Sequence, residues 1–93
     1  MRIREIEPLH EEIYRVLRSS DVVKDKAEFG RDYFGRSRNY MHVLAHGHLA
    51  PSADAYRRLR DRLSILAKES QSSETGKVAA GFIRRLDEWL SRC

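Results

Sequence analysis

The sequence is poor in the residues that staple a fold, hold a cofactor or cross a membrane. Its single cysteine, Cys93, excludes an internal disulfide framework and any multi-cysteine zinc site. No apolar run approaches the roughly 18 residues that a membrane span needs. The opening Met1-Arg2-Ile3-Arg4-Glu5 lacks the apolar stretch of a secretory signal. No glycine-rich phosphate loop occurs, and no serine or cysteine stands in the setting of a nucleophile. The acids Glu11, Glu12, Asp87 and Glu88 read as solvated charge on helix surfaces. Neither an enzyme, a cofactor nor a small-molecule substrate is expected, and the expected location is the cytoplasm. His42 and His46 stand at i, i+4 with His48 close behind, a spacing that could hold a metal, but no Asp, Glu or Cys accompanies them and no metal site is expected.

What remains is enough for one small core. Hydrophobic residues are 41% of the 93, and the 34% that are charged are mixed in sign, unlike a disordered tail. The charge is not spread evenly. Arg36 to Lys68 contain seven basic and two acidic residues (Asp54 and Asp61), a balance of +5, whereas the chain as a whole carries +4. Three of the four histidines lie in the same segment. A localised basic stretch is the electrostatic footprint of a surface that meets a polyanion.

The apolar pattern is helical throughout. Pro8 opens a first helix in which Leu9, Ile13, Val16 and Leu17 share one face. A second is expected from about Asp25 to Phe34, with Phe29, Tyr33 and Phe34 inward and Gly35 at its end. Ser37 is a good N-cap for a third through about Ala45, stopped by Gly47. Ser52 caps a fourth, with Tyr56, Leu59, Leu63 and Leu66 on one side and Arg57, Arg58 and Arg60 on the other. Asp54 and Asp61 stand at helical spacing to pair with those arginines. A fifth runs from about Thr75 to Ser91 with a wide stripe of Val78, Ala79, Phe82, Ile83, Leu86, Trp89 and Leu90. No strand pattern and no internal repeat appears. The expected fold is all-α with about five helices, arranged as a DNA-binding unit over 1–68, a short linker over 69–76 and a C-terminal helix over 77–93 that packs or dimerises.

The stretch from Phe29 to Leu63 resembles the lambda-repressor-like family of helix-turn-helix DNA-binding domains. In Gly35-Arg36-Ser37-Arg38-Asn39-Tyr40-Met41-His42-Val43-Leu44-Ala45-His46-Gly47, the resemblance makes Gly35 the turn glycine and Ser37 the start of the recognition helix. Met41 and Leu44 become its inward anchors and Gly47 its end. That family places a small residue four positions before the turn glycine. Here that position holds Arg31, and Gly30 lies one step earlier, so the second helix is expected to be longer by a residue or differently rotated.

An exposed helix of this kind fits the major groove, about 12 Å wide. Helical spacing sets Arg38, Asn39 and His42 opposite Met41 and Leu44, and each suits a base edge: Arg for guanine, Asn for adenine. Arg36, Ser37, Tyr40, His46, His48 and Arg57 are the expected contacts to the DNA backbone. The apolar fifth helix, through Phe82, Leu86 and Trp89, is the expected interface of a homodimer on an inverted-repeat site. The resulting expectation is a sequence-specific double-stranded-DNA-binding protein, a small transcriptional regulator that represses by occupancy. The alternative is an adaptor or antitoxin-like partner that uses the same scaffold to bind another protein.

Overall fold

The computed structural model describes residues 8–70 and 73–92; Cys93 and part of the expected linker lie outside them. The elements are α1 (Leu9–Ser19), α2 (Lys26–Glu28) continued by a π turn (Phe29–Tyr33), α3 (Tyr40–His46), α4 (Ala53–Glu69) and α5 (Glu74–Ser91). The fold is all-α, a five-helix bundle with no strand among the described residues.

Each helix begins and ends where local chemistry dictates. Pro8 stands just outside α1 rather than within it, and its carbonyl accepts from the Glu11 and Glu12 N–H groups. Those two acids sit in the first turn and Arg18 in the last, complementing the helix dipole. Asp21 closes α1 at φ 60°, with Val22 N–H bonded to Leu17 C=O and Asp21 N–H to Arg18 C=O. That pairing satisfies carbonyls the helix leaves open. Side-chain oxygens of Asp25, Ser52 and Ser73 cap α2, α4 and α5 by accepting from the N–H groups of Glu28, Ala55 and Gly76.

One aromatic chain ties the elements together. Phe29, fully buried in the π turn, meets Tyr14 of α1 at 5.6 Å and Phe34 at 5.3 Å between ring centres. Phe34 in turn meets Tyr40 of α3 and Tyr56 of α4, and Tyr56 meets Trp89 of α5 at 4.6 Å. Tilted and edge-on contacts of this kind add about 0.5–1.5 kcal/mol each to simple area burial. Burial pushes the Tyr56 hydroxyl up to about 12, against an opposing hydrogen bond from the His10 backbone.

α4 and α5 form the most extensive helix pair. They run antiparallel: Tyr56 in the first turn of α4 meets Trp89 near the end of α5, and Arg60 in the middle of α4 is ion-paired with Asp87. Arg85 of α5 grips Glu12 of α1 with two hydrogen bonds, at 2.8 and 3.0 Å. Ala79, Phe82 and Leu86 are buried in the same core as Ile13, Leu17, Leu59 and Leu63. This corrects the reading of Phe82 and Leu86 as a dimer interface: Phe82 is 6% exposed and Leu86 0%, both covered by their own chain. Trp89 packs on Tyr56. The connection is also shorter than the expected linker, because α4 continues to Glu69 and α5 starts at Glu74.

Candidate nucleic-acid interface

The site begins with the π turn. A π turn accommodates one residue more than an α-turn would. Gly30 thereby comes to face α3, while Arg31 points to solvent and pairs with Asp32 at 3.1 Å. A Cβ on Gly30 would lie 3.2 Å from the Ser37 carbonyl oxygen and 3.2 Å from the Tyr40 Cβ. The Gly30 carbonyl accepts from the Arg36 N–H at 3.0 Å, closing the loop between the two elements.

Gly35 has φ +66°, the left-handed conformation that glycine takes without steric cost. The Arg58 side chain lies against the face where a Cβ would stand. Beyond it, Ser37 is not the N-cap of α3. Its carbonyl accepts from the Tyr40 N–H at 3.1 Å, a β-turn with Arg38 and Asn39 at its centre, and Asn39 takes the φ −94°, ψ 4° of the third turn residue. The helix therefore starts two residues later than a cap at Ser37 would give. Arg38 and Asn39 precede it as turn residues instead of forming its first turn.

α3 then runs for seven residues. Met41 and Leu44 are buried, as their spacing predicts. Tyr40 is half-buried, its ring 5.1 Å from Phe34 on one side and the Arg36 guanidinium 5.9 Å away. Its main contact is thus with the core. The end of α3 is set by His48, not Gly47. Gly47 has an ordinary φ of −93°, whereas His48 takes +53°. Leu49 N–H bonds to Leu44 C=O at 2.8 Å and His48 N–H to Ala45 C=O at 3.3 Å, the same closure that ends α1.

The outward surface carries Arg38, Asn39, His42, Val43 and His46, all exposed. The rings of His42 and His46 lie nearly parallel, 6.0 Å apart. The side chains of Arg38 and Asn39 make no hydrogen bond or ion pair among the described residues. Ser37 and His48 are exposed at the two ends of this surface. Among the described residues no three His, Cys, Asp or Glu side chains gather as a metal site would require. Val43, 51% exposed, carries no role in the sequence reading. The signal was present, since Val43 stands at i+4 from Asn39 and three before His46.

The arginines divide into two groups. Arg60 is committed to Asp87, and Arg62 lies 4.9 Å above the Tyr33 ring. Arg36 reaches Asp54 at 3.5 Å, so Asp54 pairs across the turn rather than with the arginines of its own helix. That contact and the one between Arg58 and Gly35 set the start of α4 beside the turn. Arg57 is exposed there, with no ion pair among the described residues.

One further histidine was not legible as a structural element. His10 is 2% exposed, and its Nδ1 has no hydrogen-bond partner among the described residues. Burial holds its pKa below the usual histidine value, with the Glu11 carboxylate 3.9 Å away opposing that shift.

No curated protein and no solved structure matches the chain. Residues 10–93 match the model of a family of unknown function, DUF6626, so that the match takes in every helix described above apart from the first residue of α1. The chain belongs to that family, DUF6626.

Proposed function

We propose that the chain is a sequence-specific double-stranded-DNA-binding protein, a small transcriptional regulator of helix-turn-helix type that represses by occupying its site. One observation carries the reading. Arg38, Asn39 and His42 are exposed together, on the side of α3 and its entry turn away from the buried Met41 and Leu44. Among the described residues Arg38 and Asn39 have no partner to leave when they meet a base edge. The excess of positive charge falls on the same segment, and Arg57 is available beside it. Arg38 and Asn39 approach the bases from the turn, ahead of the helix. Ser37, Arg36, His46, His48 and Arg57 contact the DNA backbone around them, and the Tyr40 ring braces the turn. No chemistry on the duplex and no cofactor is involved, and a protein with this task works in the cytoplasm on the nucleoid.

A helix of seven residues touches few base pairs. Useful specificity then calls for two copies on an inverted repeat, with their α3 helices about 34 Å apart. Phe82 and Leu86 take no part in that interface.

The test is selection of bound duplexes from a random pool with the full chain, followed by gel shifts of a selected and a scrambled duplex at low and moderate salt. Enrichment of one motif, with binding that weakens steeply as salt rises, supports the reading. No enrichment, with negligible binding to either duplex at low salt, overturns it in favour of a protein-binding adaptor.

A further inference from the structure

The outward ridge of α3 is not uniformly polar. Asn39, at the N-cap position before the helix, is followed by Val43 and His46 at i+4 and i+7, with His42 alongside. The middle of that ridge is an aliphatic side chain, half exposed, its own N–H bonded to the Asn39 carbonyl at 2.9 Å. The other two large aliphatic side chains of α3, Met41 and Leu44, are buried. Val43 is therefore not an outlying part of the core.

Local stability does not account for it either. α3 is shorter than an isolated helix needs to be, and a β-branched residue is a poorer helix former than Ala, Gln or Lys. Nor does it belong to a large apolar patch. Its neighbours on the ridge are polar, while Leu49 folds over Gly47 and lines a separate cleft with Pro8, Leu44 and Ala45. One isopropyl group among hydrogen-bonding side chains is too small to dock a protein. It does match a single methyl group. In the major groove, thymine is the base that presents a methyl at its edge.

We infer that Val43 is a specificity-determining residue that packs on the 5-methyl group of one thymine in the bound duplex. This rests on the DNA-binding reading above and extends it. Side chains at i and i+4 are about 5–6 Å apart, and base pairs rise 3.4 Å per step along each strand. The thymine therefore lies within two base pairs of the position read by Asn39. The preference comes from apolar contact with the methyl, which cytosine and the purines lack, and is independent of the hydrogen bonds made by Arg38 and Asn39.

The experiment uses the full chain and the duplex selected from the random pool. Each thymine is replaced singly by deoxyuridine, which keeps the Watson–Crick edge and removes only the methyl. At one thymine within two base pairs of the position relaxed by Asn39→Ala, the wild type is expected to lose about fourfold in affinity per half-site, the value of one buried methyl (~0.8 kcal/mol). Val43→Ala, which substitutes a better helix former and keeps the fold, is expected to bind the thymine and deoxyuridine duplexes equally. A wild type indifferent to every replacement, or a Val43→Ala variant that keeps the sensitivity, overturns the inference while leaving DNA binding intact. Failure to enrich any duplex overturns both, and is recognised before a single deoxyuridine is made.

Discussion

Gly30 backs directly onto Tyr40: a Cβ on the first would stand 3.2 Å from the Cβ of the second. This contact fixes the distance between the π turn and α3, and so the pose in which α3 presents its outer face. A side chain at Gly30 must push against a backbone carbonyl and a helix, neither of which yields as a flexible tip would. Gly81 of α5 is the natural control, because a Cβ there meets nothing within 4 Å. Gly30→Leu is expected to lower stability by about 1–3 kcal/mol through overpacking. Gly81→Ala is expected to raise it by about 0.5–1 kcal/mol through helix propensity. Thermal unfolding of both variants checks the contrast, and equal effects would place Gly30 in open space.

The same contact shows where the sequence was legible and where it was not. The faces of α1, α4 and α5 follow from their apolar spacing, and Ser52 caps α4 as its residue type suggests; the caps supplied by Asp25 and Ser73 emerge only in the structure. Gly35 was legible as a turn because its conformation suits few other residues. The π turn was not, since an added residue in one turn leaves no mark on a 3.6-residue pattern; only the offset between Gly30 and Arg31 hinted at it. The start of α3 was misplaced for a related reason. Ser37 is a good cap by residue type, but it is its main-chain carbonyl that the Tyr40 N–H uses. Phe82 and Leu86 were read as surplus because a stripe on one helix does not reveal how much of it α1 and α4 cover.

His48 and Asp21 both sit at positive φ, each at the end of a helix. Left-handed backbone costs a side-chain-bearing residue about 1–2 kcal/mol, partly relieved in Asp by local hydrogen bonding. His48→Gly and Asp21→Gly are therefore both expected to stabilise the fold, by about 0.5–1 kcal/mol. On duplex binding they part company. If His48 contacts the DNA backbone as proposed, His48→Gly is expected to weaken binding to selected and scrambled duplex alike, whereas Asp21→Gly is expected to leave both unchanged. Chemical denaturation paired with gel shifts reads the two effects separately.

His10 makes stability depend on pH. Burial lowers its folded-state pKa, so the unfolded chain binds this proton more readily than the folded one. Above the ordinary value near 6.5 the imidazole is neutral in both states and imposes no penalty. As pH falls below that value the unfolded chain takes up the proton first, and stability declines until the lowered folded-state pKa is passed. The paired carboxylates Glu12 and Asp87, whose pKa values are lowered chiefly by hydrogen bonds from Arg85 and Arg60, lose their contribution only in a more acidic range. Urea unfolding at pH 7.5 and 5.5 is expected to show a drop in the wild type that His10→Leu largely removes.

Leu86 separates an internal core from a subunit interface. It is fully buried within one chain, alongside Leu63 and Ile13. Leu86→Ala is expected to cost about 2–5 kcal/mol, as large-to-small core changes do. The loss of stability should be the same at every protein concentration, because the contacts removed are made by a single chain. An unfolding midpoint whose deficit closes as concentration rises would instead make Leu86 part of a contact between copies.

Arg38 and Asn39 carry the most direct test of the reading role. Both are exposed turn residues whose side chains have no partner among the described residues, so replacing them is expected to leave the fold intact and circular dichroism unchanged. If each meets a base edge, Arg38→Ala and Asn39→Ala cost about 1–3 kcal/mol on the selected duplex and relax preference at one position each. Binding to scrambled duplex changes far less, because no base is read there. If Arg57 meets a phosphate, Arg57→Ala is expected to behave in the opposite way: it weakens both duplexes by a similar factor and lowers the dependence on salt, as the loss of one phosphate contact requires. Competition gel shifts over a salt series measure all three variants together. Equal losses from Asn39→Ala on both duplexes would reassign Asn39 to the phosphate backbone.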